Sequence, residues 1–225
     1  QKVVEEAPAP ALPEHLRQAM HAAAVALAQR VHYNNIGTVE FIYDVQAQAF
    51  YFLEVNTRIQ VEHGITEEVY GVDLVDWMVH EAADAAFTLP QTHFQAAGHA
   101  FEARLFAEDP QNHFMPTTGK VDAFIYPSNV RFDTWLTRGL TVTPYFDPML
   151  AKLIVHGQDR ADALQKMQAL LAATSLYGVQ TNLQYLKAIF ASAALRQVTY
   201  HTSFLNTFTT TEHTPAVLDG GFQTT

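Results

Sequence analysis

The sequence predicts a protein of the α+β class, with strands and helices in separate stretches of the chain. Runs rich in β-branched and aromatic residues occupy residues 38–55, and residues 98–156 alternate short strand-like runs with turn signals. Apolar residues at helical spacing occupy residues 16–31, 74–82 and 164–190. With 225 residues, nearly half of them hydrophobic, the chain is long enough for one or two domains with a real core.

Four helices are expected from apolar residues that recur every three or four positions. The first follows a proline-rich loop, Asp73 is expected to cap the second, and Asp159 is expected to cap a third that Gly178 ends. The inward-facing residues, helix by helix, are Leu16, Met20, Ala23, Leu27 and Val31; Leu74, Met78 and Ala82; Leu164, Met167 and Leu171; and Leu183, Leu186 and Phe190. Residues 90–97 are expected to form a boundary, and residues 209–215 a linker.

The two strand-like runs within residues 38–55 are expected to pair as a β-hairpin. A short loop places Asp44 opposite Phe50, and counting back along the antiparallel pair places Glu40 opposite Glu54. Opposed carboxylates destabilise a sheet unless something holds them together. A shared proton would do so, as would Mg²⁺, which proteins hold with one or two carboxylates plus substrate phosphates. The alternative is a pair of exposed glutamates on a wet sheet face.

A file of polar side chains continues from the second strand of this hairpin. If residues 54–62 are extended, side chains alternate between two faces. One face then presents Glu54, Asn56, Arg58, Gln60 and Glu62. Such a row suits a small charged substrate and a metal ion, with the amide oxygen of Asn56 as a further ligand. The alternative is an amphipathic strand whose polar face lies in water.

The composition argues against several classes of function. A net charge of −10 argues against a general nucleic-acid or anionic-membrane surface. There is no cysteine for disulfide or thiol chemistry, and a cytoplasmic location is expected. The eleven histidines form no zinc motif, there is no phosphate-binding glycine loop, and no apolar run is long enough to span a membrane. Because the chain lacks an initiating Met, we interpret it as a fragment.

Four motifs in this chain closely resemble biotin carboxylase. They are QKVVEEAPAP (residues 1–10), GTVEF (37–41), FLEVNTRIQVEH (52–63) and GHAFEARLFAEDP (98–110). The resemblance runs from Gln1 to about Phe208 and covers the second half of such a domain. One departure is Gly64, where the family usually has proline, so the loop after Glu62 is expected to be looser.

The resemblance implies a fold and a domain order. Residues 1–90 would form the C-terminal lobe of an ATP-grasp domain, and residues 98–208 a biotin carboxylase C-terminal domain. Residues 209–225 would be a linker and the start of a carboxyltransferase domain in the same polypeptide. The narrower match is to the urea carboxylase branch, in VRFDTW (130–135), YFDPMLAK (145–152), GVQTNLQYL (178–186) and the tail VLDGGFQTT (217–225).

The resemblance also implies a reaction and its cofactors. ATP would phosphorylate bicarbonate, and biotin on a carrier domain would then be carboxylated. Glu40 and Glu54, with Asn56 assisting, would hold Mg²⁺ or Mn²⁺ at the nucleotide phosphates. The residues that would bind bicarbonate are Arg58, Gln60, the backbone N–H of Val61, and Lys2 from a neighbouring strand.

The remaining roles follow from the same resemblance. Glu62 would be the general base, and His63 beside it either orients it or is structural. Arg104 would stabilise the biotin enolate, although without the resemblance it would be interpreted as a surface arginine near Glu102 or Glu108. Two further residues complete the implied site, namely Asp147 at its biotin border and Arg131 at a homodimer contact.

Three hypotheses remain open at this point. The chain is part of a urea carboxylase, part of an acyl-CoA carboxylase, or a structural module whose catalytic residues are idle. Because the nucleotide lid and adenine site would lie upstream, the isolated chain is expected to be inactive under all three hypotheses.

Overall fold

The structure is a computed structural model that divides the chain into two compact units. It describes residues 2–84, 87–89, 94–210, 216–218 and 222–224, the last two segments by their backbone only. We name Ala9–Ala96 the hairpin unit, and Gln1–Pro8 together with Ala97–Thr225 the sheet unit. Both units mix helices and strands, which confirms the α+β class.

Within its described residues, the hairpin unit contains two strands and three helices. In chain order these are α1 (Glu14–Arg30), β2 (Thr38–Asp44), β3 (Ala49–Asn56), α2 (His63–Tyr70) and α3 (Leu74–Ala83). The carboxylate of Asp73 accepts a hydrogen bond of 2.8 Å from the N–H of Asp76, which confirms the expected cap of α3. No residue of α1 or α3 is fully buried among those described, and Ala23, Val31 and Ala82 are exposed, so the inward-facing assignment is wrong for these three.

The sheet unit is built around a four-stranded antiparallel sheet. Its elements are β1 (Val4–Ala7), β4 (His99–Phe106), β5 (Glu108–Asp109), a 3₁₀ turn (Pro110–Asn112), β6 (Met115–Pro116), β7 (Gly119–Lys120), β8 (Ala123–Ile125), β9 (Arg131–Thr134), β10 (Thr141–Val142), β11 (Met149–Gly157), α4 (Arg160–Ala173), β12 (Ser175–Tyr177), α5 (Leu183–Ala191), α6 (Ala193–Gln197), α7 (Phe204–Thr207), β13 (Ala216–Leu218) and β14 (Phe222–Thr224). The main sheet has the order β1-β4-β11-β9, and a second one has the order β13-β14-β12-β8.

The core of the sheet unit lies between one face of the main sheet and its helices. Because side chains alternate along β4 and β11, Phe101 and Leu153 point to this face and are fully buried. Helix α4 packs on both strands and on α5, and Phe101 meets Phe190 of α5 edge to face at 5.5 Å between ring centroids. The opposite face of the same sheet is therefore left for polar side chains.

Three predictions about this unit are resolved by the structure. Asp159 caps α4 as expected, accepting from the N–H of Asp162 at 2.9 Å. Helix α4, however, ends at Ala173, so the prediction that Gly178 ends it was wrong. The backbone turns extended at Thr174 because the following residues pair with β8 as strand β12, and Gly178 instead follows that strand with φ +93°. The region 98–156 contains two long strands, β4 and β11, as well as the short ones expected.

Several expectations fall wholly or partly outside the described residues. These are part of the boundary (90–93), most of the linker (211–215) and part of the tail (219–221 and 225). The domain boundaries drawn from the sequence stay a prediction. Among the helices of the described residues, none combines the length and the apolar character that a membrane span requires.

Candidate active site

Glu40 and Glu54 face each other across the β2–β3 hairpin, as the sequence predicts. The turn differs from the expectation, because Asp44 pairs with Ala49 and not with Phe50. The carboxylate of Asp44 accepts hydrogen bonds of 2.9 Å from the N–H groups of both Gln46 and Ala47, which closes the turn one residue early. A β-bulge then leaves Leu53 without a cross-strand partner in the register, and this restores the opposition of the two glutamates.

The side-chain amide of Asn56 joins the two carboxylates. Its Nδ2 donates to Oε1 of Glu40 and to Oε1 of Glu54, at 3.0 Å in each case. The amide hydrogens thus occupy the place of a positive partner between two acids. The sequence predicts the amide oxygen of Asn56, and not its nitrogen, as a metal ligand here. A rotation of the amide group by half a turn would exchange the two atoms and bring Oδ1 towards the carboxylates.

Gln60 and Arg58 lie beside this pair, although not by continued extension. Strand β3 ends at Asn56, so the expectation of extended backbone through Glu62 was wrong. The chain turns back, and the buried Gln60 donates its Nε2 to Oε1 of Glu40 at 3.3 Å. Arg58 Nη2 lies 3.5 Å from Oδ1 of Asn56. The turn therefore gathers four members of the polar file around Glu40.

Glu62 is the N-cap residue of α2, and Val61 lies in the turn just before it. His63 begins the helix, and its ring Nδ1 is 2.8 Å from the carbonyl oxygen of Gln60. Its Nε2 lies 4.0 Å from the buried carboxylate of Glu67, which also accepts from the N–H of Leu74. His63 therefore holds the backbone on which Gln60 and Glu62 sit.

Gly64 is a buried residue in the first turn of α2. The expectation of a looser loop after Glu62 was wrong, because this segment is helical and carries its hydrogen bonds from its first turn onward.

A second cluster of charges lies on the polar face of the main sheet, in the sheet unit. Nη2 of Arg104 lies 2.6 Å from Oε1 of Glu5, and its Nε lies 3.9 Å from Oε1 of Glu102. The side chain of Arg104 is 9% exposed and that of Glu102 is 0% exposed. The alternative of a surface arginine was therefore wrong, because two strands bury this guanidinium against carboxylates.

Lys2 precedes β1, and β1 pairs with β4. The role of Lys2 towards bicarbonate stays a prediction. The residue that follows it, Val3, accepts a hydrogen bond of 3.0 Å at its carbonyl oxygen from the N–H of Arg104. Of the two cations predicted in this unit to meet bicarbonate and biotin, Lys2 thus lies just before β1 and Arg104 lies in the strand that pairs with β1.

Asp147 lies in an exposed turn, where Oδ1 accepts from the N–H of Met149 at 2.8 Å. Tyr145 and Phe146, just before it, are 85% and 80% exposed. Burial, helped by the negative charge of Asp147, raises the pKa of Glu108 above its ordinary value. This turn therefore exposes two aromatic rings next to Asp147, whose charge also acts on Glu108 of β5.

Arg131 pairs with Asp133 on β9, with 3.4 Å between Nε and Oδ1. Asp133 also lies 3.1 Å from Nζ of Lys152. Burial alone would raise the pKa of Asp133, but the hydrogen bonds from Lys152 and Arg131 outweigh it and hold that pKa below its ordinary value. The homodimer role of Arg131 stays a prediction.

The donor set of the hairpin fits a hard divalent cation that shares its coordination with phosphates. Among the described residues, no group of three or more His, Cys, Asp or Glu side chains is arranged to hold a metal. Glu40 and Glu54 instead supply carboxylate oxygens from one side only, and the amide of Asn56 would add its Oδ1 if it turned over. Mg²⁺ keeps several positions for water or phosphate oxygens and needs only one or two carboxylates.

Two family models match the chain. The biotin carboxylase C-terminal domain matches residues 102–207, and the ATP-binding domain of the carbamoyl-phosphate synthase L chain matches residues 1–90. The chain belongs to the biotin carboxylase family. The family recognised in the sequence, with its ATP-grasp and C-terminal domains, is thereby confirmed.

Similar biotin carboxylases include enzymes of urea metabolism. The urea amidolyase of Saccharomyces cerevisiae is 47% identical over 208 residues, which are 92% of this chain and 11% of that protein. The crystal structure of the Kluyveromyces lactis urea carboxylase is 46% identical with a TM-score of 0.90, over 96% of this chain and 19% of that one.

A further structure is the biotin carboxylase domain dimer of the Hydrogenobacter thermophilus 2-oxoglutarate carboxylase, described as a complex with MgADP, ADP and bicarbonate. It is 34% identical with a TM-score of 0.87, over 92% of this chain and 46% of that one. The chain therefore spans less than half the length of each of these relatives.

The sequence reasoning missed two acidic residues of β1, Glu5 and Glu6, that contact cations of the sheet unit. Glu5 contacts Arg104, whereas Glu6 points the other way and accepts hydrogen bonds from Arg160 and Tyr200. A signal was available, because two successive glutamates in a strand must point to opposite faces. Both are about nine-tenths buried, and such acids require partners.

Proposed function

We propose that this chain is the part of an ATP-dependent biotin carboxylase that holds the metal, binds bicarbonate and contacts biotin. The reaction is ATP, bicarbonate and a biotinyl carrier going to carboxybiotin, ADP and phosphate. The observation that carries the proposal is the opposed pair of Glu40 and Glu54, joined by Asn56 and flanked by Arg58 and Gln60. The bicarbonate and MgADP of the Hydrogenobacter relative support it.

Glu40, Glu54 and Asn56 hold Mg²⁺ or Mn²⁺ in this proposal. When bound, the ion would neutralise the negative charge of the phosphates, and phosphoryl transfer requires this neutralisation. Glu40 is half-buried and accepts from both Asn56 and Gln60, so its carboxylate is held in place before any ligand arrives. That preorganisation lowers the cost of positioning the nucleotide.

Arg58 and Gln60 bind bicarbonate, together with the backbone N–H of Val61. The planar guanidinium of Arg58 can present two parallel donors to the two oxygens of the anion, and it is exposed enough to turn towards a ligand. Lys2 is the further cation that this proposal assigns to bicarbonate. The carbonyl of Gln60 is held by His63, which fixes the backbone of this anion pocket.

Glu62 takes the proton of bicarbonate. An oxygen of the deprotonated bicarbonate then attacks the γ-phosphorus of ATP and releases ADP. The carboxyphosphate then breaks into CO₂ and phosphate, and the phosphate takes the proton from the ring nitrogen of biotin. Arg104 donates to the ureido oxygen, on which negative charge grows as that proton leaves. Asp147 borders the bound biotin.

We propose urea as the final acceptor, because a urea amidolyase and a urea carboxylase are 47% and 46% identical to the chain. The partners are then a biotin carrier domain and a carboxyltransferase domain in the same polypeptide, and a second copy in a homodimer through Arg131. An acyl-CoA carboxylase remains the alternative, which carboxylation assays with urea and with acyl-CoA distinguish. A cytoplasmic location stays a prediction.

Bicarbonate-dependent ATP cleavage tests the function. We would measure it with Mg²⁺ and free biotin, both in this chain alone and in a protein that restores the upstream half of the domain. If only the longer protein is active, the result supports the view that this chain is an incomplete catalytic domain. Activity in this chain alone would contradict the proposed location of the nucleotide site. No ATP cleavage in either protein would favour a structural module.

A further inference from the structure

The guanidinium of Arg104 is held by acidic residues from two strands. Glu5 of β1 and Glu102 of β4 are cross-strand partners in the sheet register, so their side chains share one face. Nη2 of Arg104 lies 2.6 Å from Oε1 of Glu5, so the two side chains form a close ion pair. Glu102 is more distant, with its Oε1 at 3.9 Å from Nε.

The neighbouring cation on this face has a different acid. Lys152 lies directly opposite Arg104 on β11, but its Nζ lies 3.1 Å from Asp133 on the far side. Asp133 also contacts Arg131. The charges of the sheet face therefore fall into two groups, and Glu5 belongs to the group of Arg104.

We propose that Glu5 is a positioning residue that sets the orientation of the Arg104 guanidinium towards biotin. A guanidinium is planar and rigid, so fixing Nη2 fixes the direction of the whole fork. The side chains of both residues are about nine-tenths buried, at 11% and 9% exposed, which keeps water from competing for the contact. This inference rests on the proposed function for its catalytic consequence.

Glu5 also belongs to the strand that pairs with the strand of Arg104. It lies three residues after Lys2 on the same segment, and β1 is held against β4 by the pairs Val4 with Ala103 and Glu5 with Glu102. The ion pair therefore adds a side-chain contact to the backbone ladder between β1 and β4. Losing it turns Arg104 without removing either cation.

Glu5→Gln tests the proposal, because it keeps the size of the side chain and removes its charge. In the intact carboxylase we expect carboxybiotin formed per ATP cleaved to fall about tenfold or more, in line with the loss of one largely buried ion pair. Bicarbonate-dependent ATP cleavage should change by less than about threefold, since Arg104, the cation that Glu5 contacts, is proposed to act on biotin and not on phosphoryl transfer. Glu5→Asp, which keeps the charge, should restore part of the yield.

Glu6→Gln is the matched control, because it makes the same change at the next position of the same strand. Glu6 points to the other face and contacts His99, Arg160 and Tyr200. Measured at a temperature where both variants are folded, it should leave the ratio of carboxybiotin to ATP at the wild-type value. Equal loss of this ratio in both variants would overturn the proposal in favour of a general disturbance of β1.

A crystal structure of the Glu5→Gln variant separates this inference from the proposed function. We expect the Arg104 guanidinium to leave its position. An unchanged guanidinium overturns the positioning role, whether or not the protein is a carboxylase. A wild-type protein without bicarbonate-dependent ATP cleavage overturns the proposed function, while a displaced guanidinium would still support the positioning of Arg104 by Glu5.

Discussion

Glu40 and Glu54 lie opposite each other on neighbouring strands, and one amide group, that of Asn56, donates to both. The shared amide donor thus offsets the repulsion between the two carboxylates. The following predictions concern this pair, the proposed base, a buried acid of the other unit and two glycines.

Glu54→Gln should weaken the metal dependence of the enzyme. Removing one of two carboxylate ligands is expected to raise the Mg²⁺ concentration for half-maximal ATP cleavage by about tenfold or more. Titration of ATP cleavage with Mg²⁺ measures this. Glu14→Gln is the control, because Glu14 is an exposed residue of the same unit that contacts Arg17 and Gln18. An equal shift in both variants would show a general charge effect.

Glu62→Gln should abolish bicarbonate-dependent turnover and spare nucleotide binding. A positioned general base contributes about 10²–10⁴-fold to rate, so a loss of at least about a hundredfold is expected. Steady-state ATP cleavage and nucleotide titration measure the two properties in the intact enzyme. Unchanged turnover would contradict the assignment of the base.

Glu6→Gln should destabilise the fold at neutral pH and much less in acid. Burial alone would raise the pKa of Glu6, but the hydrogen bonds from His99, Arg160 and Tyr200 together hold it below its ordinary value of 4.5. A lowered pKa in the folded state stabilises the protein above pH 4.5, and this contribution is lost as the pH falls through the folded value. We expect a loss of about 3 kcal/mol at pH 7, since removing one partner leaves a buried cation uncompensated.

Urea unfolding of wild-type and Glu6→Gln proteins, at neutral pH and again below pH 4.5, checks this. The difference between the two free energies of unfolding should narrow in acid, because protonation of wild-type Glu6 has the same effect as the substitution. A difference that stays constant would mean that the shape of the side chain matters and its charge does not.

Gly178→Ala should cost far more stability than Gly139→Ala. Both glycines have a positive φ, +93° and +87°, so both substitutions incur about 1–2 kcal/mol of backbone strain. A Cβ at Gly178 would also overlap the carbonyl oxygen of Lys120, whereas one at Gly139 would meet nothing within 4 Å. We expect thermal or urea unfolding to show an additional loss of about 2 kcal/mol or more at Gly178. Equal losses would mean that the backbone of β7 at Lys120 shifts to make room for the Cβ.

The opposition of Glu40 and Glu54 could be predicted from the sequence because strand pairing follows simple counting. The count succeeded although the turn at Asp44 and the bulge at Leu53 were both missed, since the two errors cancel. Neither could be foreseen. The sequence does not show which residue closes the turn, and residues 49–53 are all apolar or aromatic, so no break in an apolar–polar alternation marks the bulge.

The site beyond Asn56 shows where local pattern fails. Alternation suggested an extended strand, but Gln60 is buried against Glu40 through a turn that depends on His63 and on the helix that follows. Arg104 shows the same limit, because its partner Glu5 lies nearly a hundred positions away and only the sheet register reveals it. The family resemblance supplied these residues, whereas their contacts required the fold.

The pairing of β1 with β4 has a consequence for synthesis on the ribosome. The whole hairpin unit lies between these two strands in the chain, so β1 emerges about a hundred residues before its partner. At a synthesis rate of about 5–20 residues per second, β1 remains unpaired for roughly 5–20 s before β4 is made. The hairpin unit can fold during that time, and the charges of the successive residues Glu5 and Glu6 discourage the unpaired strand from pairing with another chain.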